Sequence, residues 1–203
     1  MHIRRRTSAV LATVLTVFIL AGCAGLSAFG EEINRAFNGV SATMTTYNED
    51  GELIDKVHGT SFRITRDTRF DTSNSDGTSK NDSSVLMISL GDNHISHVGS
   101  TLVLAQDGLT AVADAETNVE FSNNEPGTPW LNNLFEYHRN LWQGKGKTIL
   151  IRSQNGTPIA VYAGSEVEIL ATDVPKSTWF RVDGKYLFVY RADYTVYDND
   201  LLS

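Results

Sequence analysis

One cysteine is present in the 203 residues, Cys23, at the end of the stretch Leu20-Ala21-Gly22-Cys23. A thiolate is the strongest side-chain nucleophile and can be alkylated. The small residues before it let an extended backbone enter a peptidase. His94 and His97, with Asp92 close by, carry donors that suit a transition metal. Positions three apart on a strand point to opposite faces, so only a turn would bring both rings to one ion. Solvated loop histidines are expected, and no metal site is assigned. His138 lies on an apolar helical stripe, where a core histidine bonded through a ring nitrogen is expected rather than a general base. Asp193 and Asp198 form a carboxylate pair of the kind glycoside hydrolysis uses. With 24 Asp and Glu in the chain, such pairs also arise by chance. The chain has no G-x-S-x-G, S-x-x-K, H-E-x-x-H, phosphate loop or dinucleotide fingerprint, so no catalytic residue and no cofactor is assigned.

The elements around Cys23 say what its thiol is for. Met1 to Arg6 contains three arginines and no acid, and an apolar or small run of 13 residues follows from Ala9 to Ala21. A basic start, a run of this length and a small-residue end describe a secretory signal. The run is too short for a spanning helix, which needs roughly 20 residues. Leu20-Ala21-Gly22-Cys23 resembles the lipobox of bacterial lipoproteins. The resemblance implies diacylglyceryl transfer to the Cys23 sulfur and cleavage between Gly22 and Cys23. Arg5-Arg6 leaves a twin-arginine export route open beside the general one; both end at the same cysteine.

Cleavage there would remove three arginines and leave 14 basic against 24 acidic residues, a net charge of −10 where the full chain has −7. Such a body is repelled by anionic lipid and by nucleic acid, so attachment to membrane must come from acyl chains. With Cys23 modified, no thiol remains for disulfides, thiolate metal sites or cysteine catalysis. About 180 residues suffice for a core without such staples.

The expected organisation is a signal peptide over 1–22, a tether or short helix over 23–39, and one β-rich domain over 40–203. Leu26, Phe29, Ile33 and Phe37 fall at helical spacing in the tether, and their stripe is expected to dock on the domain. Asn48-Glu49-Asp50-Gly51, Asn155-Gly156 and Asp183-Gly184 are hairpin turns between extended runs. Residues 67–84, rich in Ser, Asn, Asp and Gly, have the composition of a loop or flexible hairpin. Val85 to Ile88 and Thr101 to Ala105 read as strands. In Lys185 to Arg191, Tyr186, Phe188 and Tyr190 face one way and Leu187 and Val189 the other. One amphipathic helix is expected over 129–142, capped by Thr128, started by Pro129 and apolar along Trp130, Leu134, His138, Leu141 and Trp142. The fold class is therefore mainly β, all-β or α+β, with antiparallel hairpins and one packed helix. Aromatics concentrate in the C-terminal half, chiefly as core, with Trp179 and Tyr197 the ones expected to reach the surface.

The segments "HVGSTLVLAQDGLT" (97–110), "KTILIRSQNGTPIAVYAG" (147–164) and "VDGKYLFVYRADYTVYDNDLL" (182–202) resemble an uncharacterised family of bacterial lipoproteins, mainly Gram-positive and about 200 residues long, known as a domain of unknown function. The resemblance implies a single domain and a membrane address, and supplies no catalytic residue. The expected function is a lipid-anchored, extracytoplasmic binding or interaction module for a protein, peptide or glycan. A cell-envelope hydrolase or its accessory, and a small-molecule carrier, are the alternatives.

Overall fold

The structure, a computed structural model, describes residues 37–114 and 142–202. Thirteen strands fill it: β1 Ser41–Tyr47, β2 Leu53–Thr60, β3 Phe62–Arg66, β4 Leu86–Leu90, β5 Asn93–His97, β6 Thr101–Gln106, β7 Ala113–Asp114, β8 Lys147–Arg152, β9 Pro158–Gly164, β10 Val167–Leu170, β11 Ser177–Val182, β12 Lys185–Tyr190 and β13 Asp193–Asp198. They form three sheets in the orders β10-β11-β12-β6-β1-β2, β13-β8-β9-β7 and β3-β4-β5. Every pairing is antiparallel. Short 3-10 turns stand at Thr68–Phe70 and Asn199–Leu201. Mainly β is therefore the observed class. The helix expected over 129–142 lies outside the described residues, apart from Trp142, as do Cys23, Gly22 and His138.

The six-stranded sheet is the middle layer. On one side, Met44, Leu102, Leu104, Trp179, Phe188 and Tyr190 pack on Phe62, Ile64, Leu86 and Ile88 of the three-stranded sheet. On the other, Tyr47, Val103, Phe180, Leu187 and Val189 pack on Ile149, Ile151, Ile159 and Tyr162 of the four-stranded sheet. Strand alternation sends successive side chains to opposite faces, and here both faces are covered. That is why β6 and β12 read as near-continuous apolar runs, and why Tyr186, Phe188 and Tyr190 part from Leu187 and Val189 as expected. Phe37, the last residue of the tether stripe, belongs to the first core and stacks on Trp179 at 5.3 Å between ring centroids. The rest of that stripe lies outside the described residues. Trp179 is only 5% exposed, against the surface position expected of it: its strand is flanked on both sides, so its ring has a core to enter.

Turns follow the residue types. Asp183 and Gly184, both at positive φ, close the two-residue hairpin between β11 and β12, with Val182 paired to Lys185. Residues 60–65 are split at Ser61, which takes φ 59° as the chain leaves the six-stranded sheet for the three-stranded one. Ser61 donates its N–H to the Val40 carbonyl (3.0 Å), and its hydroxyl accepts from the Gly39 N–H (2.8 Å), so the corner is fixed by hydrogen bonds.

Candidate functional site

Two regions of the described structure concentrate charged side chains. The first is the Asp-rich stretch 67–84, whose composition suggests flexibility. It is instead stitched by its own carboxylates. Asp71 accepts from Arg66 Nε (3.0 Å) and Nη2 (3.3 Å), from the Ser83 N–H (2.9 Å) and from Ser79 Oγ (3.0 Å). Asp67 accepts from the Arg69 N–H (3.1 Å), Nε (2.9 Å) and Nη2 (2.6 Å). Asp82 takes the Thr72 N–H and hydroxyl, and Asp76 those of Thr78. Arg66 Nη1 reaches the Asp173 carbonyl (3.2 Å) and so ties the stretch to the β10–β11 connection. Hydrogen bonds to the ionised form hold all four carboxyls below the usual carboxylate range, led by the Arg69 side chain at Asp67 and by the Ser83 N–H at Asp71. These four carboxylates have their partners within the stretch and at Arg66.

The second region is a cavity of about 490 Å³ where the β8–β9 loop meets β11, the end of β12 and the start of β13. Val189, Ala192 and the Tyr194 ring supply apolar surface; Gln154, Ser177 and Thr178 supply polar groups. Lys176, Arg191 and Asp193 carry charge. Tyr194 is held edge-on against Phe180 at 4.9 Å, and its hydroxyl accepts from Thr178 Oγ1 (3.3 Å). Ser177 Oγ donates to the Val174 carbonyl (2.9 Å).

Two non-glycine residues of this wall sit in the left-handed backbone region, Lys176 at φ 60° and Arg191 at φ 50°. They are joined directly, the Arg191 N–H donating to the Lys176 carbonyl (2.9 Å). Thr101 Oγ1, fully buried, donates to the Arg191 carbonyl (2.7 Å) and pins the same turn from β6. Strained backbone at residues with long side chains persists only where the surroundings over-determine it, and such residues cluster at functional sites. Arg191 Nη2 donates to Gln154 Oε1 (3.0 Å), while Arg191 Nε is buried with no hydrogen-bond partner. Beside it, the Tyr190 hydroxyl donates to the Ser84 carbonyl (2.5 Å), and burial pushes that phenol's pKa up against smaller opposing pulls from the charge and the side-chain N–H groups of Arg191.

Over residues 5–202 the chain matches a family described as Domain of unknown function (DUF5052). The chain belongs to the DUF5052 family. No curated protein and no solved structure matches it. Membership of DUF5052 thus brings no assigned site with it, and the cavity rests on its own geometry.

The residues singled out by sequence fare unequally. His94 and His97 are not brought together: Ser89 Oγ meets His94 Nδ1 at 3.0 Å, whereas His97 Nε2 meets the Ser100 carbonyl at 3.0 Å and its ring abuts Tyr190. Among the described residues no three His, Cys, Asp or Glu side chains gather as a metal site requires. Asp193 and Asp198 occupy opposite ends of β13; the first lines the cavity and the second pairs with Lys147. At about 3.3 Å per residue they are too far apart to flank one glycosidic bond. Gln154, Lys176 and Arg191 were missed. The one signal for Arg191 is that the strand pattern breaks at Arg191-Ala192 without Gly, Pro or Asn.

Proposed function

We propose that this chain is a lipid-anchored binding module of the bacterial cell envelope, of the Gram-positive lipoprotein kind, held at the outer face of the cytoplasmic membrane through Cys23. Its ligand site is the cavity between the β8–β9 loop and β11–β13. The observation that carries the binding reading is that cavity's wall, where two strained residues present Lys176 and Arg191 to a space of about 490 Å³. A space of that size is within the range of small-molecule sites. The address rests on the basic run, the 13-residue apolar run and Leu20-Ala21-Gly22-Cys23. The family match is consistent with it, since it begins at residue 5, inside the basic run. A diacylglyceryl group brings the two chains that stable anchoring takes.

Two measurements test the proposal. Cys23→Ser should release the protein from membranes or leave an uncleaved precursor; a variant that stays with the membrane at mature size sinks the anchor. A panel of small polar fragments, titrated into the full chain in detergent and read by NMR, should move the resonances of Thr178 and Tyr194. A panel that leaves both unmoved removes the cavity as a site.

A further inference from the structure

Three arginines in this protein can be compared edge by edge. A guanidinium offers Nε–H and one Nη2–H as a parallel fork that fits the two oxygens of a carboxylate. Arg66 gives this fork to Asp71, and Arg69 gives it to Asp67. At Arg191 the fork is half used. Nη2 meets the single amide oxygen of Gln154, and Nε, buried, makes no hydrogen bond of its own, the Tyr190 phenol being the polar group that the guanidinium adjoins. A buried donor without an acceptor is costly, and native proteins seldom leave one without a reason.

We propose that the Nε/Nη2 fork of Arg191 is the receptor for the carboxylate of a small ligand, and that Gln154 is the side chain that gives way to it. The inference rests on the binding-module reading and names the ligand class of that site. Gln154 is exposed, and its second bond, Nε2 to the Gly99 carbonyl, is long at 3.3 Å, so it is loosely held. Its rotation outward frees Nη2, and the same movement must open Nε to the cavity. The incoming carboxylate then takes both donors, as Asp71 and Asp67 do with their arginines. No bond is made or broken; the ligand enters as its carboxylate anion, and the arginine stays protonated.

Charge agrees with this. The chain is acidic overall, at −7, yet the cavity brings Lys176 and Arg191 against Asp193 alone. Lys176 and Asp193 have no ion-pair partner among the described residues, whereas Arg66, Arg69 and Lys145 each have one. A local positive excess within an acidic body selects for an anion. The apolar surface of Val189, Ala192 and Tyr194 fits a ligand whose carboxylate is joined to a flat or aliphatic body. The remaining polar wall is already bonded, Ser177 to Val174 and Thr178 to Tyr194, so the unmet donor defines where the charged end goes.

The test titrates benzoate into the full chain in detergent and follows the Arg191 Nε–H resonance by NMR, with benzamide as the uncharged twin and inorganic phosphate as the alternative oxyanion. Benzoate is expected to move that resonance, with benzamide at least about tenfold weaker. Gln154→Ala removes the competing acceptor and should tighten benzoate several-fold. Arg191→Lys keeps the charge, loses the fork and should weaken it by about tenfold or more. An effect of opposite sign in two neighbouring variants is not what a merely structural Gln154–Arg191 contact would produce. Benzamide binding as well as benzoate, phosphate binding in its place, or tightening that fails in Gln154→Ala overturns the carboxylate assignment. If a neutral fragment still moves Thr178 and Tyr194, only the ligand class falls; if nothing moves them, the binding site falls with it.

Discussion

The stretch 67–84 and the β11–β13 cavity are built from the same materials and finished differently. Both place arginines at or near strand ends beside polar loops. In the first, the Arg66–Asp71 pair is nearly closed to solvent, with side chains 11% and 5% exposed, and all four aspartates are bonded within the chain. In the second, Lys176 and Asp193 stand apart from any ion pair, and Arg191 keeps a buried donor unanswered. The first region uses charge to fix a loop that has few apolar residues to hold it. The second region keeps its charges out of ion pairs and uses one of them only in the Arg191–Gln154 hydrogen bond. Polar composition therefore does not separate structure from site in this protein; hydrogen-bond satisfaction does.

The widest gap between the two regions should show in a matched pair of substitutions. Asp71→Ala removes the carboxylate of Arg66, Ser79 and the Ser83 N–H at once, and it leaves a guanidinium with little access to water and only the Asp173 carbonyl and Asn81 as acceptors. Breaking one partner of a buried ion pair is among the few single changes with large effects. The expected result is a fall in Tm of at least about 4 °C by circular dichroism, with faster hydrogen exchange across 71–84. If the loss is no greater than for a substitution at an exposed lysine, the stitched loop is not a stabilising element.

Acid should separate the regions by a smaller margin. The carboxyls of Asp67, Asp71, Asp76 and Asp82 are held below their ordinary value, so each contributes stability above the unfolded pKa, near 3.9. That contribution is lost as pH falls through the lower, folded values. Amide exchange in 67–84 should therefore rise below about pH 4 while β6 and β12 stay protected. Loss of protection in all three at the same pH would mean that the loop has no stability of its own to lose.

How much of this could be read from the residues alone depends on the range over which each feature is decided. Strands and hairpins are local, and they were legible: the alternation from Lys185 to Arg191 and the Asp183-Gly184 turn reappear as β12 and its hairpin. The middle position of the six-stranded sheet was not stated, although the apolar run of β6 carried its trace. The order in 67–84 was hidden because composition counts Ser, Asp and Asn but not which hydroxyl meets which carboxylate. The cavity was hidden for a stronger reason. Gln154, Lys176 and Arg191 come together only through the pairing of β11 with β12 and the approach of the β8–β9 loop. Positive φ at Lys176 and Arg191 is imposed by that packing, and neither residue type advertises it.

The finest distinction lies at Arg191 itself. Replacing it by Met keeps an unbranched side chain and the same backbone strain, since Arg and Met, both unbranched at Cβ, pay a similar penalty at φ 50°. It gives up one hydrogen bond to an exposed glutamine and removes a buried donor that has no acceptor. The first loss, a charged donor's bond, is worth up to about 1.5–3 kcal/mol, and an unanswered buried donor costs about 1–3 kcal/mol, so the two offset each other. Arg191→Met should thus leave Tm unchanged or raise it by a few degrees, while benzoate no longer binds. That is the pattern of a residue kept for its ligand at some cost to the fold. A Tm drop matching that of Asp71→Ala would place Arg191 with Arg66 as a structural arginine and erase the difference between the two regions.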